Sequence, residues 1–365
     1  MAKNKTLPAK QTERQPSIDL LRFIAAMMVA TMHWGLEVGS ERYQGIYEVR
    51  IIGDLVKNGG FGVSIFFVIS GFVIIGTAQK YNAIESIFAR FIRLFPGLLI
   101  SMLIVLIVGN HFIQPYEKPF TSFFHSIFLT YQVAGVQPLA TPLWTLIIEI
   151  KFYIGVAITL FLLPRFFKST RGIIILLTLW ELTIILLGET ASPVGHYLLP
   201  YLTLNGSHNL FALGICFNLL SKVKIKLTQE NLLLSLISLY FINEVFLVDK
   251  NMSITKIYMI IASIMIIFSR KIVLHPSLQK ISYWLGLSSY LIYLLHEHLG
   301  MVFVLQLQSH ITRNIFGVIG TAAALITVFS ILLAIFIEKP IQRFLQKKLS
   351  RISPKIQRWG NRQIL

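Results

Sequence analysis

Arg22 and His33 stand eleven residues apart inside one apolar stretch, Ile18 to Leu36. At about 100° per residue, eleven steps return to within about 20° of the starting direction. On a helix both side chains therefore lie on one face, roughly 16 Å apart along the axis, which is close to half a hydrocarbon core. A fixed cation at one depth suits an anionic group, and an imidazole at another suits general-base work. An Arg at mid-membrane depth costs about 2.5–3.5 kcal/mol on insertion scales, so a chain that keeps one uses it, pairs it or wets it. Taken alone, Arg22 could also snorkel to the inner interface and pair with Asp19, and His33 could simply bond a neighbouring helix.

Few other ionisable groups interrupt the apolar stretches. Glu149 and Lys151 fall in one, His296, Glu297 and His298 in another, and Glu338 closes the last, in Ile337-Glu338-Lys339-Pro340. A carboxylate beside an imidazole fixes the tautomer that general-base work needs. Glu338 before a Lys-Pro pair reads as a helix end with a structural ion pair. Just before another apolar run, Arg90 and Arg93 stand at i, i+3 and share a helix face. Two guanidinium forks so placed suit phosphate or pyrophosphate, although positive-inside anchoring alone also puts Arg at such a site.

The elements that must carry these residues are membrane helices. With 55% hydrophobic and 13% charged residues and a mean hydropathy of +0.70, 365 residues cannot hide their apolar surface in a water-soluble core. Apolar runs predict about ten spans: 18–36, 61–78, 94–113, 143–163, 172–188, 205–221, 230–248, 254–269, 284–308 and 315–337. The segment 120–133 is aromatic but short and reads as interfacial or re-entrant. The fold class is all-α, a polytopic helix bundle.

The basic residues alternate by loop. Of 33 Lys and Arg, 24 fall on segments that this reading leaves in the cytoplasm and seven on outer loops, which orients the chain with both termini cytoplasmic. The net charge of +17 thus needs anionic lipid as a partner and no nucleic acid. The expected organisation is a cytoplasmic segment 1–17, a membrane domain 18–340 and a basic cytoplasmic tail 341–365. The polar, basic N-terminus predicts no signal peptide, and the lone Cys216 offers neither disulfide nor metal cluster. In this orientation Asp19 and Arg22 lie near the cytoplasmic side, while His33, Glu149 and His296 can converge in the outer half.

Several blocks, in order, are similar to one family. They are Ile18-Asp19-Leu20-Leu21-Arg22 with His33, an Arg-x10-His element; Phe61-Gly62-Val63-Ser64-Ile65-Phe66-Phe67 running to Ser70-Gly71-Phe72; the Arg-x-x-Arg of Arg90 and Arg93; and Leu143-Trp144-Thr145-Leu146-Ile147-Ile148-Glu149. Ser289-Tyr290-Leu291-Ile292-Tyr293-Leu294-Leu295-His296 and Ile337-Glu338-Lys339-Pro340 also fit. From residue 17 to about 345 the chain resembles the integral membrane acyltransferase 3 family. Ser64 stands where that family often carries an acid, and Glu149 is the single carboxylate of its block.

The resemblance implies a multi-pass enzyme of the inner (plasma) membrane, bacterial in type. It moves an acyl group, most often acetyl, from cytoplasmic acyl-CoA to a hydroxyl of a cell-surface or lipid-linked carbohydrate. No permanent cofactor or metal is expected, since the acyl-CoA is a substrate. Arg90 and Arg93 would hold its phosphates, Arg22 would guard the channel, and His33 would deprotonate the acceptor with Glu149 in support. Asp19, His296 and Tyr153 are secondary candidates, and an acyl relay through His33, Tyr153 or Tyr293 stays open. Some relatives carry an extracytoplasmic hydrolase-like domain; here transfer is expected to finish in the membrane or pass to a separate protein. Trp34, Tyr43 and Tyr47 could stack on a sugar ring. The competing class is an exporter or flippase of a polysaccharide or lipid-linked sugar.

Overall fold

The computed structural model describes residues 15–39, 57–113, 116–189, 193–223, 228–246, 254–310 and 315–349. The basic positions before residue 15, the outer-loop residues Arg42, Tyr43, Tyr47 and Arg50, and the tail from 350 lie outside the described residues. Among the described residues every regular element is a helix. In chain order they are α1 (Pro16–Gly39), α2 (Phe61–Ala78), α3 (Ala83–Val108), α4 (Pro119–Ile127), α5 (Tyr131–Ala134), α6 (Leu143–Leu162), α7 (Thr170–Glu189) and α8 (Pro193–Leu202). There follow α9 (His208–Leu220), α10 (Gln229–Phe246), α11 (Ile254–Ile267), α12 (Pro276–Leu295), α13 (Met301–His310), α14 (Ile315–Leu333) and α15 (Lys339–Leu349).

All ten predicted stretches fall on helices, but they are not equal. Six are long and apolar enough to cross a bilayer: Phe61–Ala78, Ala83–Val108, Leu143–Leu162, Thr170–Gly188, Pro276–Leu307 and Phe316–Leu349. The first predicted span, α1, has the length, at 24 residues, but carries Asp19 and Arg22. The sixth and eighth, α9 and α11, have only 13 and 14 residues. At about 1.5 Å per residue that is roughly 20 Å, short of a hydrocarbon core. The segment 120–133 folds as α4 and α5 with Phe120, Phe124 and Phe128 exposed, the form of an interfacial piece.

Small residues set the closest helix approaches. A Cβ on Gly71 of α2 would sit 2.0 Å from the Phe211 carbonyl oxygen of α9, and one on Gly214 of α9 would sit 2.0 Å from that of Val68. The two helices therefore pack backbone to backbone, as membrane helices do where dispersion replaces the hydrophobic drive. Gly286 of α12 passes the Asp19 side chain of α1 in the same way. One apolar core joins α2 with α7, α9, α10 and α11, and a second joins α1, α3, α12 and α14.

Two helices depart from the regular period. A π-helical turn, His296–Gly300, joins α12 to α13, and another, Ala334–Glu338, joins α14 to α15. His296, Glu297 and His298 therefore stand on this turn in the middle of a continuous rod. Ile337-Glu338-Lys339-Pro340 does not end the last helix. A regular α-turn would set the Pro340 ring against the carbonyl four residues back; the wider turn precedes it, and the helix continues to Leu349.

Candidate active site

A cavity opens between α1, α2, α3, α6 and α12, with about 90 Å³ open to water-sized molecules. That is room for several waters in a polar lining. Arg22, Arg90 and Arg93 line it together with Ser70, Glu149, Tyr153, Tyr290 and Tyr293. The capping box that starts α3 places two of the cations: Asn82 Oδ1 accepts the Glu85 N–H at 2.8 Å, and Glu85 Oε2 accepts the Asn82 N–H at 3.1 Å. Arg90 and Arg93 follow in the next turns on one face, as their spacing predicted.

Each arginine is held differently. Arg90 Nη2 donates to Thr77 Oγ1 at 2.5 Å, and its guanidinium lies 4.9 Å from the Tyr153 ring centroid. Its Nε is buried and makes no hydrogen bond. Arg93 pairs with Glu338 at 3.6 Å, and that carboxylate is fully buried and also accepts from Gln342 at 2.9 Å. Arg22 lies 3.8 Å from Asp19, which is buried against Gly286. Arg22 is thus both paired with Asp19 and cavity-lining.

Glu149 faces the same cavity. Its Oε1 accepts from Ser70 Oγ and from Tyr153 OH, each at 2.5 Å. Charge-assisted bonds of this kind keep a carboxylate fixed without a cation in contact. Ser70 belongs to a block noted in the sequence, but nothing in the sequence paired it with Glu149.

His33 lies beside His296, one of the two groups expected to converge with it. Its ring centroid lies 5.1 Å from that of His296, tilted by 51°. His296 is fully buried, and its Nδ1 lies 2.7 Å from the Tyr293 carbonyl oxygen. A carbonyl only accepts, so the proton sits on Nδ1 and Nε2 carries a lone pair. That Nε2 is buried with no hydrogen-bond partner. Trp34 Nε1 donates to the His296 carbonyl at 2.9 Å, tying α1 to the π-turn.

Tyr293 links the two groups. It lines the cavity, its ring lies 5.8 Å from that of His296, and its hydroxyl bonds Thr145 Oγ1 at 2.8 Å. Beyond it, Glu297 Oε2 accepts the Thr141 N–H at 2.7 Å, and Tyr116 OH lies 2.9 Å from His298 Nε2. The Tyr116 hydroxyl, in a loop, is pushed up to about 12, first by burial and then by Glu297. It stays neutral and donates its one proton to the Leu139 carbonyl at 2.8 Å, so toward His298 Nε2 it is the acceptor.

Asp19, Arg22, Arg90, Arg93, Glu149 and Tyr153 are thus gathered on or beside one cavity, while His33 and His296 form a pair behind Tyr293. Among the described residues no group of His, Cys, Asp and Glu could hold a metal. A polytopic helix bundle with cations and a fixed carboxylate around one cavity, and an imidazole pair behind it, has the parts of an integral membrane transferase. The family model for the acyltransferase 3 domain matches residues 15–338, and the chain belongs to that family of membrane acyltransferases. No curated protein and no solved structure matches the chain.

Proposed function

We propose that this protein moves an acyl group, most often acetyl, from cytoplasmic acyl-CoA to a hydroxyl of a cell-surface or lipid-linked carbohydrate. The reading rests above all on the cavity that three arginines share with Glu149 and Tyr153. The orientation expected from the loop charges faces that arginine end to the cytoplasm. Guanidinium groups there match the phosphates of a nucleotide-bearing thioester, which would enter phosphates outward and arm inward.

The chemistry balances with residues of this chain. Neutral His33 takes the proton of the acceptor hydroxyl as its oxygen attacks the thioester carbonyl carbon. The tetrahedral adduct collapses, the C–S bond breaks, and the proton passes from His33 to the departing thiolate, leaving an ester and free CoA. His296, whose ring neighbours that of His33, is the first candidate to support the imidazole in place of Glu149. Glu149, held by Ser70 and Tyr153, would position the donor arm or the hydroxyl groups around it. Holding both substrates in one geometry makes attack effectively unimolecular, which is worth several orders of magnitude. The acyltransferase family match supports this reading over the exporter.

The test is thiol release. Purified protein in vesicles, given acetyl-CoA and surface carbohydrate, should liberate free CoA thiol in step with ester formed on the carbohydrate. Carbohydrate movement without thiol release would replace this reading with export.

A further inference from the structure

Three helix ends meet on the side of the cavity from which Arg90 projects. Thr77, in the last turn of α2, accepts Arg90; two residues on, Gln79 Oε1 accepts from Lys222 Nζ at 3.2 Å. Lys222 follows the end of α9, and its neighbour Ser221 accepts from Arg270 Nε at 3.0 Å, which follows α11. Lys80 stands next to Gln79. Lys80, Lys222 and Arg270 all reach the surface, with Lys222 partly desolvated by the chain packed around it.

Positive-inside anchoring explains one cation on each loop. It does not explain cross-bonds that draw three of them together, since free loops would let like charges separate. The crowding has a measurable sign: the Lys222 ammonium is pushed down to about 8, first by burial and then by Arg270 and Lys80. The groups that set this shift include no carboxylate to offset it. A cluster of that kind is stabilised by an incoming anion.

We propose that Lys80, Lys222 and Arg270 form a phosphomonoester site that takes the 3′-phosphate on the nucleotide end of the donor. The proposal rests on the acyl-CoA reading above. In CoA one ribose separates the 3′-phosphate from the pyrophosphate; on α2, Thr77 and Lys80 are one turn, about 5 Å, apart. A donor whose pyrophosphate meets Arg90 thus has its remaining phosphate over the patch. An anionic lipid headgroup offers similar chemistry, so the test must separate the two.

Full-length protein in phosphatidylcholine vesicles would be assayed with acetyl-CoA and with acetyl-3′-dephospho-CoA, for wild type, Lys222→Gln, Arg270→Gln and the double variant. These exposed positions lie outside the catalytic cavity, and Lys222→Gln keeps a donor for Gln79. Wild type should show a KM about tenfold lower for acetyl-CoA than for the dephospho donor, a difference of one tenfold step. The double variant should lose that preference while kcat and the KM for the dephospho donor stay unchanged. A retained preference, or an equal rise in KM for both donors, overturns the proposal. So does a preference that disappears only when anionic lipid is added to wild type, which marks a headgroup site. If wild type turns over neither donor, the acyl-CoA reading has failed and calorimetry with 3′,5′-adenosine bisphosphate decides the patch: binding lost in the double variant upholds it, equal binding overturns it.

Discussion

Glu149 and Glu181 are carboxylates on neighbouring membrane helices, each bonded to a tyrosine, and they differ in what surrounds them. Glu149 accepts from Tyr153 and Ser70 and faces a cavity shared with three arginines. Glu181 accepts from Tyr240 at 2.7 Å and faces His208 Nε2 at 3.4 Å, with Trp180 packed edge-on to that imidazole, and it does not line the arginine cavity. On residue types alone Glu181 is the stronger catalytic pair, because an imidazole is already in reach. Access and charge, more than the dyad itself, mark a site for an anionic substrate. Glu181, His208 and Tyr240 read as polar links between α7, α9 and α10, the use to which membrane bundles put most such groups.

The largest break in this comparison would come from His33. His33→Ala should lower the transfer rate by about 10²- to 10⁴-fold, the usual worth of a general base, at unchanged protein level in the membrane. A rate within threefold of wild type would remove His33 from the chemistry. Next comes Glu338, a fully buried carboxylate paired with Arg93 at 3.6 Å. Arg93→Ala should cost about 3–5 kcal/mol of stability by leaving that charge buried without it, and Arg93→Ala with Glu338→Gln should recover much of the loss. Thermal unfolding in detergent reads both. If the single and double variants unfold together, the pair is not what holds α15 to α3.

Glu149→Gln should reduce turnover by roughly tenfold to a hundredfold, since it removes the charge that Ser70 and Tyr153 organise. Glu181→Gln should leave turnover within about threefold while lowering the unfolding temperature. Equal losses of turnover would erase the distinction drawn between the clusters. The smallest effect concerns pH. Lys222 has a lowered value, about 8, so its charge is present below that pH and lost above it. As that charge is lost, the KM for acetyl-CoA should rise about threefold between pH 7 and 9. Lys222→Gln should flatten that rise.

Much of this was legible in the residues. The shared face of Arg22 and His33, the i, i+3 pair Arg90 and Arg93, and the apolar stretches all follow from periods that a helix imposes, and each fell on a helix. Arg22, Arg90, Arg93, Glu149 and Tyr153 all stand out in the sequence by charge, spacing or resemblance, and they meet at one cavity. What stayed hidden depends on departures from the regular period. The π-turn at His296–Gly300 has no hydropathic signature, yet it is what buries His296 beside His33. The turn before Pro340 likewise carries Glu338 to Arg93 and leads the helix past a proline that signals an end. The bonds from Ser70 to Glu149 and from Lys222 to Gln79 join distant segments, and spacing along a chain carries no trace of them.

The central claim is a path from cytoplasmic donor to His33. Inside-out membrane vesicles, which expose the cytoplasmic face, would be given acetyl-CoA labelled in the acetyl group, and the label would be followed by mass spectrometry into enclosed surface carbohydrate. The account predicts ester-linked label in vesicles carrying wild type and none above background with His33→Ala at equal protein level. Equal labelling by both, or label that stays on CoA in both, would contradict it.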